Sequence, residues 1–182
     1  YYVATLLTTL IVSYIATGAC FIYIAIEGWF LSVGDVFLIL IDVFLLTLFG
    51  TAISSIINSF LSTQGQISAV GTIVSAGYGF ICGAYMPISQ FSPFLQKAIA
   101  FLPGTYGTSL IRNHALNGVY KEMANQFPAE VIEGIKDSID CNIYFFDNKV
   151  SIPAMYIILI SSIIVLIGAY VLINALKNRK AR

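Results

Sequence analysis

The sequence contains few charged residues, and over one long stretch it contains none. Asp, Glu, Lys and Arg make up 10% of its 182 residues, against roughly 25% in an ordinary soluble domain. No charged residue occurs between Asp42 and Lys97. A soluble fold of this size does not keep so long a stretch away from water. The composition therefore excludes an ordinary soluble enzyme and predicts a membrane protein.

Other absences exclude further classes of function. No GxxxxGK[ST] motif occurs, so this polypeptide does not cradle ATP phosphates in a P-loop. Cys20, Cys82 and Cys141 are an odd number of cysteines without CxxC spacing, and we expect neither a metal site nor a bound cofactor. His114 has no partner at metal or triad spacing, so we expect no enzymatic activity in this chain. The formal net charge of zero argues against a nucleic-acid partner.

Four apolar runs are long enough to cross a bilayer core of about 30 Å, which takes roughly 20 helical residues. They cover residues 3–26, 36–61, 67–85 and 153–176. Ser32 and Asp35 have the pattern of a capping pair just before the second run. The sequence thus predicts an all-α, polytopic membrane protein with four transmembrane helices in one domain.

Basic residues after the last span predict the orientation. The tail at 177–182 carries Lys177, Arg179, Lys180 and Arg182. By the positive-inside rule, such a tail lies in the cytoplasm. Four crossings then leave the region 87–150 outside the cell. We expect a multi-pass protein of a bacterial plasma membrane.

Three prolines break the apolar segment that follows the third span, GAYMPISQFSPFLQKAIAFLPGTYGTSLIR. These are Pro87, Pro93 and Pro103, and each forbids a straight helix running through it. We expect two short helices, at residues 92–101 and 106–118, each too short to span the membrane. Together they would form an external re-entrant or interfacial pair just before the last crossing.

Small residues recur at every fourth position of the third span, at Gly71, Ser75, Gly79 and Gly83. They line one helical stripe, which lets another helix approach closely. Two interpretations remain open. The stripe packs against a neighbour in the same chain, or it forms the interface with a second subunit.

The second span carries polar side chains. Thr51, Ser55 and Asn58 lie in its predicted cytoplasmic half, where they either bond across helices or line a substrate pathway. Asp42 is the one ionisable residue inside a predicted span, and intramembrane carboxylates suggest function by default. It is either a carboxylate near the helix start or a contact for substrate or gating.

Two further features have a structural and a functional interpretation each. The turn between the second and third spans consists of Thr63, Gln64, Gly65 and Gln66. It is either a tight connection or the loop that touches an ATPase subunit. Arg112 ends the broken segment, and its guanidinium either reaches lipid headgroups or pairs with a carboxylate.

The external region contains a small amphipathic helix after Pro128, in the segment FPAEVIEGIKDSID. Val131, Ile132, Ile135 and Ile139 share one face, and charged residues occupy the other. We expect this helix to lie on the outer leaflet, to cap the two short helices, or to act as a lid on an exit path.

This arrangement resembles the permease subunits of the ABC type-2 transporter family, which have six spans and a re-entrant pair of external helices between the fifth and the sixth. The resemblance is carried by GAYMPISQFSPFLQ and AIAFLPGTYGTSLIR. The matching positions are Gly83 and Pro87, then Leu102 and Pro103, and finally Arg112. The four spans would correspond to the third to sixth of such a permease. Tyr1 lies inside an apolar run, and we expect a fragment of a longer chain.

The resemblance implies a permease subunit of an ATP-driven exporter. Such a subunit pairs with a second copy, identical or related, and substrate moves between the two halves. ATP and Mg²⁺ would bind in a separate ATP-binding cassette subunit. A secondary transporter or channel is the alternative, for which buried charged residues would be expected. A membrane scaffold or sensor is a third. The sequence does not identify the substrate.

Overall fold

A computed structural model describes residues 2–180 of the chain, with side chains to residue 177. The described part contains seven α-helices and one two-stranded hairpin. They are, in chain order, α1 (Tyr2–Glu27), α2 (Val33–Asn58), α3 (Gln64–Ile81), α4 (Pro93–Ile99), α5 (Pro103–Met123), α6 (Ala129–Ser138), β1 (Tyr144–Phe145), β2 (Asn148–Lys149) and α7 (Ile152–Lys180). Arg182, and the side chains of Arg179 and Lys180 on which the predicted orientation also rests, lie outside the described residues.

Three of the described helices, α1, α2 and α7, are long and apolar enough to cross a membrane. The predicted runs at 3–26, 36–61 and 153–176 fall on them. The capping box predicted before the second run is present, because Ser32 and Asp35 bond to each other's backbone N–H groups. The run predicted at 67–85 falls on α3, an 18-residue helix rich in glycine and serine. This helix is not among those apolar enough to cross a membrane. A fourth span therefore stays a prediction.

Helix α2 is the centre of the bundle. It packs against α1, α5 and α7, and α5 packs against α7 as well. The core between these helices contains Phe49, Leu110 and Leu159, all buried. Helices α1 and α3 bury none of their described residues, so each lies on the outside of the bundle.

The contacts between side chains give the directions of the helices. Tyr156 near the start of α7 bonds to Asp42 of α2, and Lys177 near its end donates to the Ser59 carbonyl just after α2. Helices α2 and α7 therefore run in the same direction. Helix α5 runs against them, with Gly107 beside Leu46 at the middle of α2. It continues past the start of α2.

Each proline of the broken segment lies at the start of a helical element. Pro87 precedes a 3₁₀ turn at Ile88–Gln90, and Pro93 and Pro103 are the first residues of α4 and α5. A proline in the first turn loses no hydrogen bond, because that N–H has no partner within the helix.

The prediction of two short helices is wrong for the second of them. The first, expected at 92–101, is the seven-residue α4. The second, expected at 106–118, is α5, which has 21 residues and is roughly 31 Å long. Asn117 and Gly118 have the pattern of a helix stop, but α5 continues through them because this part of the helix packs closely on the start of α2.

The sharp turn between α4 and α5 is held by the first residues of α5. The Thr105 hydroxyl donates to the Ile99 carbonyl at 3.2 Å, and the Tyr106 hydroxyl donates to the Ala100 carbonyl at 2.5 Å. Both residues of α5 are buried. Two carbonyls at the end of α4 thus find partners inside the protein.

The helix expected after Pro128 corresponds to α6. Its Ile132 is buried against Tyr120 and Cys141, whereas Val131 of the predicted apolar face is exposed. The hairpin that follows turns at Phe146 and Asp147, both with positive φ, and its strands pair in an antiparallel register. This region rests on the end of α5 and leads directly into α7.

Candidate functional site: a buried Asp–His–Tyr cluster and an open groove

Asp42 lies at the contact of three helices. It is completely buried, and each of its carboxylate oxygens has one partner. His114 Nδ1 of α5 lies 2.6 Å from Oδ2, and the Tyr156 hydroxyl of α7 donates to Oδ1 at 2.6 Å. The His114 and Tyr156 rings are also stacked, with centroids 6.3 Å apart. The three side chains thus form one connected cluster between α2, α5 and α7.

His114 connects this cluster to a cavity of about 600 Å³ beside α5 and α6. The imidazole is 8% exposed, and Nδ1 is its only ring nitrogen with a hydrogen-bond partner in the described part of the chain. Charged groups of both signs line the same cavity; they are Asp35, Lys121, Glu133 and Lys136. The second ring nitrogen of His114 is therefore the atom of the cluster that is available to this polar cavity.

A second polar contact between α2 and α5 lies closer to the start of α2. The Asn117 side chain donates to Asp35 Oδ1 at 2.7 Å, while the other Asp35 oxygen accepts from Ser32. Asp35 and Asp42 are seven residues apart and share one face of α2, and His114 and Asn117 share the facing side of α5. The two helices are thus joined by two matched polar contacts.

The sequence shows no partner for His114 at metal or triad spacing, yet in the fold its imidazole is bonded to Asp42. Its partner is 72 residues earlier in the chain, so spacing along the sequence does not reveal the pair. For Asp42, the interpretation as a carboxylate that reaches water near the helix start is wrong, whereas a contact for substrate or gating stays a prediction. Asp42 is not solvated at the helix start, and it bonds to two side chains of its own chain. The useful signal was Asp42 itself, because a carboxylate in an apolar helix requires a partner.

Arg112 pairs with a carboxylate, which was one of its two interpretations. Its guanidinium lies 3.5 Å from Asp140 and also donates to the Gly83 carbonyl. Asp140 accepts from the amides of Ile88 and Ser89. Burial raises the pKa of the Asp140 carboxyl, although these amides and Arg112 act in the opposite direction. The cluster joins the end of α3, the 3₁₀ turn, α5 and the segment after α6.

The groove between α2 and α3 is the second candidate site. It has a volume of about 360 Å³ and is open to the outside of the chain. The small or polar residues that line it include Ser54 and Asn58 of α2 and Gly71 and Ser75 of α3. Of the predicted pathway residues, Asn58 therefore lies in the groove. Thr51 and Ser55 are buried in the bundle, and Asp42 lies in the separate cluster described above.

The small-residue stripe of α3 has two different halves. Gly71 and Ser75 are exposed, and a Cβ at Gly71 would meet no atom within 4 Å. By contrast, a Cβ at Gly79 would lie 2.4 Å from the Tyr85 ring, and Gly83 lies against Ile88 with a φ of +77°. The half of the stripe at Gly79 and Gly83 is thus covered by the loop that follows α3, and the half at Gly71 and Ser75 is open.

The turn before α3 is a helix cap. The Thr63 hydroxyl accepts from the Gln66 amide, and the Gln66 side chain accepts from the amides of Ser62 and Thr63. Gln64 and Gly65 are exposed and take no part in this capping box. Among the four residues of the turn, Gln64 and Gly65 are therefore the two that make none of the capping hydrogen bonds of the described structure.

Glu133 on α6 ties this helix to the hairpin. It contacts Lys149 at 2.8 Å and Lys136 at 3.0 Å. Lys149 and Lys136 lower the pKa of the Glu133 carboxyl to about 2. The Asn142 side chain also donates to it. The polar face of α6 is therefore used to hold the segment that leads into α7.

The architecture defines a class of protein. Three long apolar helices around a mostly apolar core indicate a helical membrane protein. Among the described residues, no three His, Cys, Asp or Glu side chains are grouped so as to hold a metal ion. Comparison with protein-family models, with curated proteins and with solved structures gives no match. Any more specific assignment rests on the residues themselves.

Proposed function

We propose that the chain is the transmembrane permease subunit of an ABC exporter. A second copy, identical or related, would complete the substrate pathway, and separate ATP-binding cassette subunits would bind ATP and Mg²⁺ and drive it. The observation that carries this proposal is the open groove between α2 and α3. Its small residues, Gly71 and Ser75, allow a helix of a second subunit to approach closely. Ser54 and Asn58 would then supply polar groups to the enclosed passage.

The directions of the helices support a fourth crossing by α3. Because α2 and α7 run in the same direction, the chain must return across the bundle between them. Helix α3 begins just after α2 ends, and the Cys82 carbonyl at its far end accepts from Thr108 on α5. Its 18 residues give it a length of about 27 Å. Because Thr108 is next to Gly107, which lies beside the middle of α2, α3 would make the first part of the return and the segment 82–91 would complete it.

The turn between α4 and α5 supports the re-entrant pair. It lies beside the middle of α2, because Gly107 in the first turns of α5 contacts Leu46. The Gly104 amide at the start of α5 also donates to the hydroxyl of Tyr78 on α3 at 3.3 Å. A non-helical turn is tolerated at membrane depth only where protein or water satisfies its backbone groups. The bonds from Thr105 and Tyr106 to the end of α4 meet that requirement. The pair would enter from outside and end halfway across.

The proposed orientation places the shared ends of α2 and α7 in the cytoplasm of a bacterial cell. Lys177 lies at that end, in agreement with the positive-inside rule. The turn at 63–66 is then on the same side, where an ATPase subunit would bind. The region at 87–150 would be external.

The test is to purify the full-length protein with the product of an adjacent ATPase gene and to measure ATP hydrolysis in liposomes. We expect a stable complex whose hydrolysis rate exceeds that of the ATPase alone. Gln64→Ala should reduce this stimulation, because Gln64 is exposed in the turn and has no capping role. Gln126→Ala, at an exposed position beyond α5, is the matched control. Absence of both complex and stimulation would refute the proposal.

A secondary transporter is a second candidate, favoured by one observation. Such carriers use buried ionisable residues, and Asp42 with His114 is a pair of this kind. Uptake or release driven by a pH gradient in liposomes without any ATPase subunit would favour this candidate. Transport that requires ATP and the partner subunit would exclude it.

A further inference from the structure

We propose that Asp42, His114 and Tyr156 form a proton-binding site that exchanges protons with the cavity beside His114. The ligand is the proton, and the site is distinct from the α2–α3 groove proposed as the substrate pathway. The proposal does not depend on which energy source drives the protein. It rests on the geometry of the cluster and on the contact of His114 with the cavity.

The first argument is the composition of the cluster. A completely buried carboxylate, with both oxygens bonded at 2.6 Å, is joined to an imidazole, the group whose ordinary pKa lies closest to neutral pH. A purely structural tie between helices does not need an ionisable pair, since apolar residues of similar volume are often equally stabilising. A buried carboxylate and imidazole in contact are a pair that can take up and release a proton.

The second argument is access. Of the three side chains, His114 lines the polar cavity of about 600 Å³. Its Nδ1 faces Asp42, so Nε2 is the nitrogen left for exchange with water. Asp42 lies seven residues along α2 from Asp35, which also lines the cavity, and this separation is about 10 Å. His114 therefore gives protons in the cavity a route to the buried carboxylate.

The proton balance is simple. In the deprotonated state, neutral His114 donates its Nδ1–H to ionised Asp42, and the cluster has a charge of −1. A proton added at Nε2 makes the imidazolium, and the cluster becomes neutral overall. No other bond is formed or broken. The gain and loss of this proton would change the charge of the cluster and so alter how tightly α2, α5 and α7 are held together.

Other ionisable groups surround the cluster and set its electrostatic environment. Tyr156 is contributed by α7, and Tyr14 of α1 bonds to the Leu40 carbonyl nearby on α2. The cavity side carries carboxylates and amines in equal number, together with one phenol; these are Asp35, Glu133, Lys121, Lys136 and Tyr120. The formal charges on the cavity side therefore balance, and the carboxylate of Asp42 is the charge in direct contact with the imidazole.

The test is to follow the imidazole of His114 by nitrogen NMR in the full-length protein, labelled at histidine and held in lipid nanodiscs, between pH 4 and pH 9. Histidine occurs once in the 182 residues, and a His114→Gln variant identifies its signals. We expect one titration. In Asp42→Asn the midpoint should fall by about 1–3 pH units, because the neighbouring negative charge is lost.

Two further variants keep the test decisive if Asp42→Asn does not fold. Tyr156→Phe removes one hydrogen bond to the Asp42 carboxylate, so the midpoint should change. Asp147→Asn, at the exposed turn of the hairpin, should leave it unchanged. If the His114 signals do not titrate over this range, or if Tyr156→Phe and Asp147→Asn give the wild-type midpoint alike, the cluster is only a structural tie. Neither result bears on ATP-driven transport, which the liposome assay measures separately.

Discussion

Gly118 of α5 lies against the main chain of Phe30, so closely that an added Cβ would stand 1.6 Å from the Phe30 carbonyl oxygen. The position is therefore closed to every other residue while α5 keeps its contact with the start of α2. This contact lies directly beside the bond between Asn117 and Asp35.

We expect Gly118→Ala to destabilise the protein by more than about 2 kcal/mol, because the backbone must move to relieve the overlap. Thermal unfolding of the purified protein in detergent would measure the change. Gly134→Ala is the control, since a Cβ there meets no atom within 4 Å and alanine favours a helix by up to about 1 kcal/mol. Equal stability of the two variants would contradict the close packing.

Replacing His114 by leucine should destabilise the protein by about 3–5 kcal/mol, because Asp42 is left buried without its nitrogen partner. The double variant Asp42→Asn with His114→Leu should be less destabilised than His114→Leu alone, since the unpaired charge is gone. Unfolding in a denaturant series gives both values. Additive losses would argue against a direct pair.

Arg112→Leu should destabilise more than Asp140→Asn. The first leaves the buried Asp140 carboxylate without its cation. In the second, the asparagine oxygen can still accept from one of the two amides of Ile88 and Ser89, which bond to different oxygens of the carboxylate. We expect a difference of at least about 1 kcal/mol in the free energy of unfolding. A larger loss in Asp140→Asn would show that the carboxylate charge matters more than the hydrogen bonds.

Glu133 should make α6 and the hairpin sensitive to acid. Its pKa is lowered in the fold to about 2 from an ordinary 4.5, so its contribution is present above pH 4.5 and is lost as the pH falls towards 2. The side chain is 47% exposed, which limits the effect to less than about 1 kcal/mol. Unfolding temperatures between pH 6 and pH 3 should fall less in Glu133→Gln than in wild type. Glu130→Gln should behave as wild type.

Gly71→Leu should lower the yield of crosslinked dimer without changing the unfolding temperature, because Gly71 lies in the open groove and an added side chain there meets nothing in the same chain. Gly168→Leu on α7 is the matched control, since that glycine also has free space around it. Gly79 is a poor choice for this experiment, because its stripe position is already covered by Tyr85. An unchanged dimer yield in Gly71→Leu would remove the interface from the proposed function.

The long apolar helices were predictable, because a run of about twenty apolar residues is typical of a helix that crosses a membrane. The extent of α5 was not. Its average polarity conceals two faces, one with Tyr106 and Leu110 in the core and one with Asn113 and Asn117 towards polar partners. Only the position of α2 explains why so polar a helix is packed inside the bundle.

The Asp42–His114 pair was missed for a related reason. Its two members belong to helices that meet only after the chain has turned back on itself, and no local spacing encodes that meeting. A signal was nevertheless present. Asp35 and Asp42 are seven residues apart, and His114 and Asn117 are three apart, so two acidic residues on one helical face match two polar residues on another.

The hydrogen bonds from Ile88 and Ser89 to Asp140 also bear on biosynthesis. Asp140 follows Ile88 by 52 residues, and a ribosome adding 5–20 residues per second needs about 3 to 10 s to supply them. Until then, the main-chain amides of Ile88 and Ser89 lack the acceptor that Asp140 provides. We therefore expect this stretch to take its final shape only when the nascent polypeptide is nearly ready to insert α7, so that a truncation before Asp140 would leave it open to proteases.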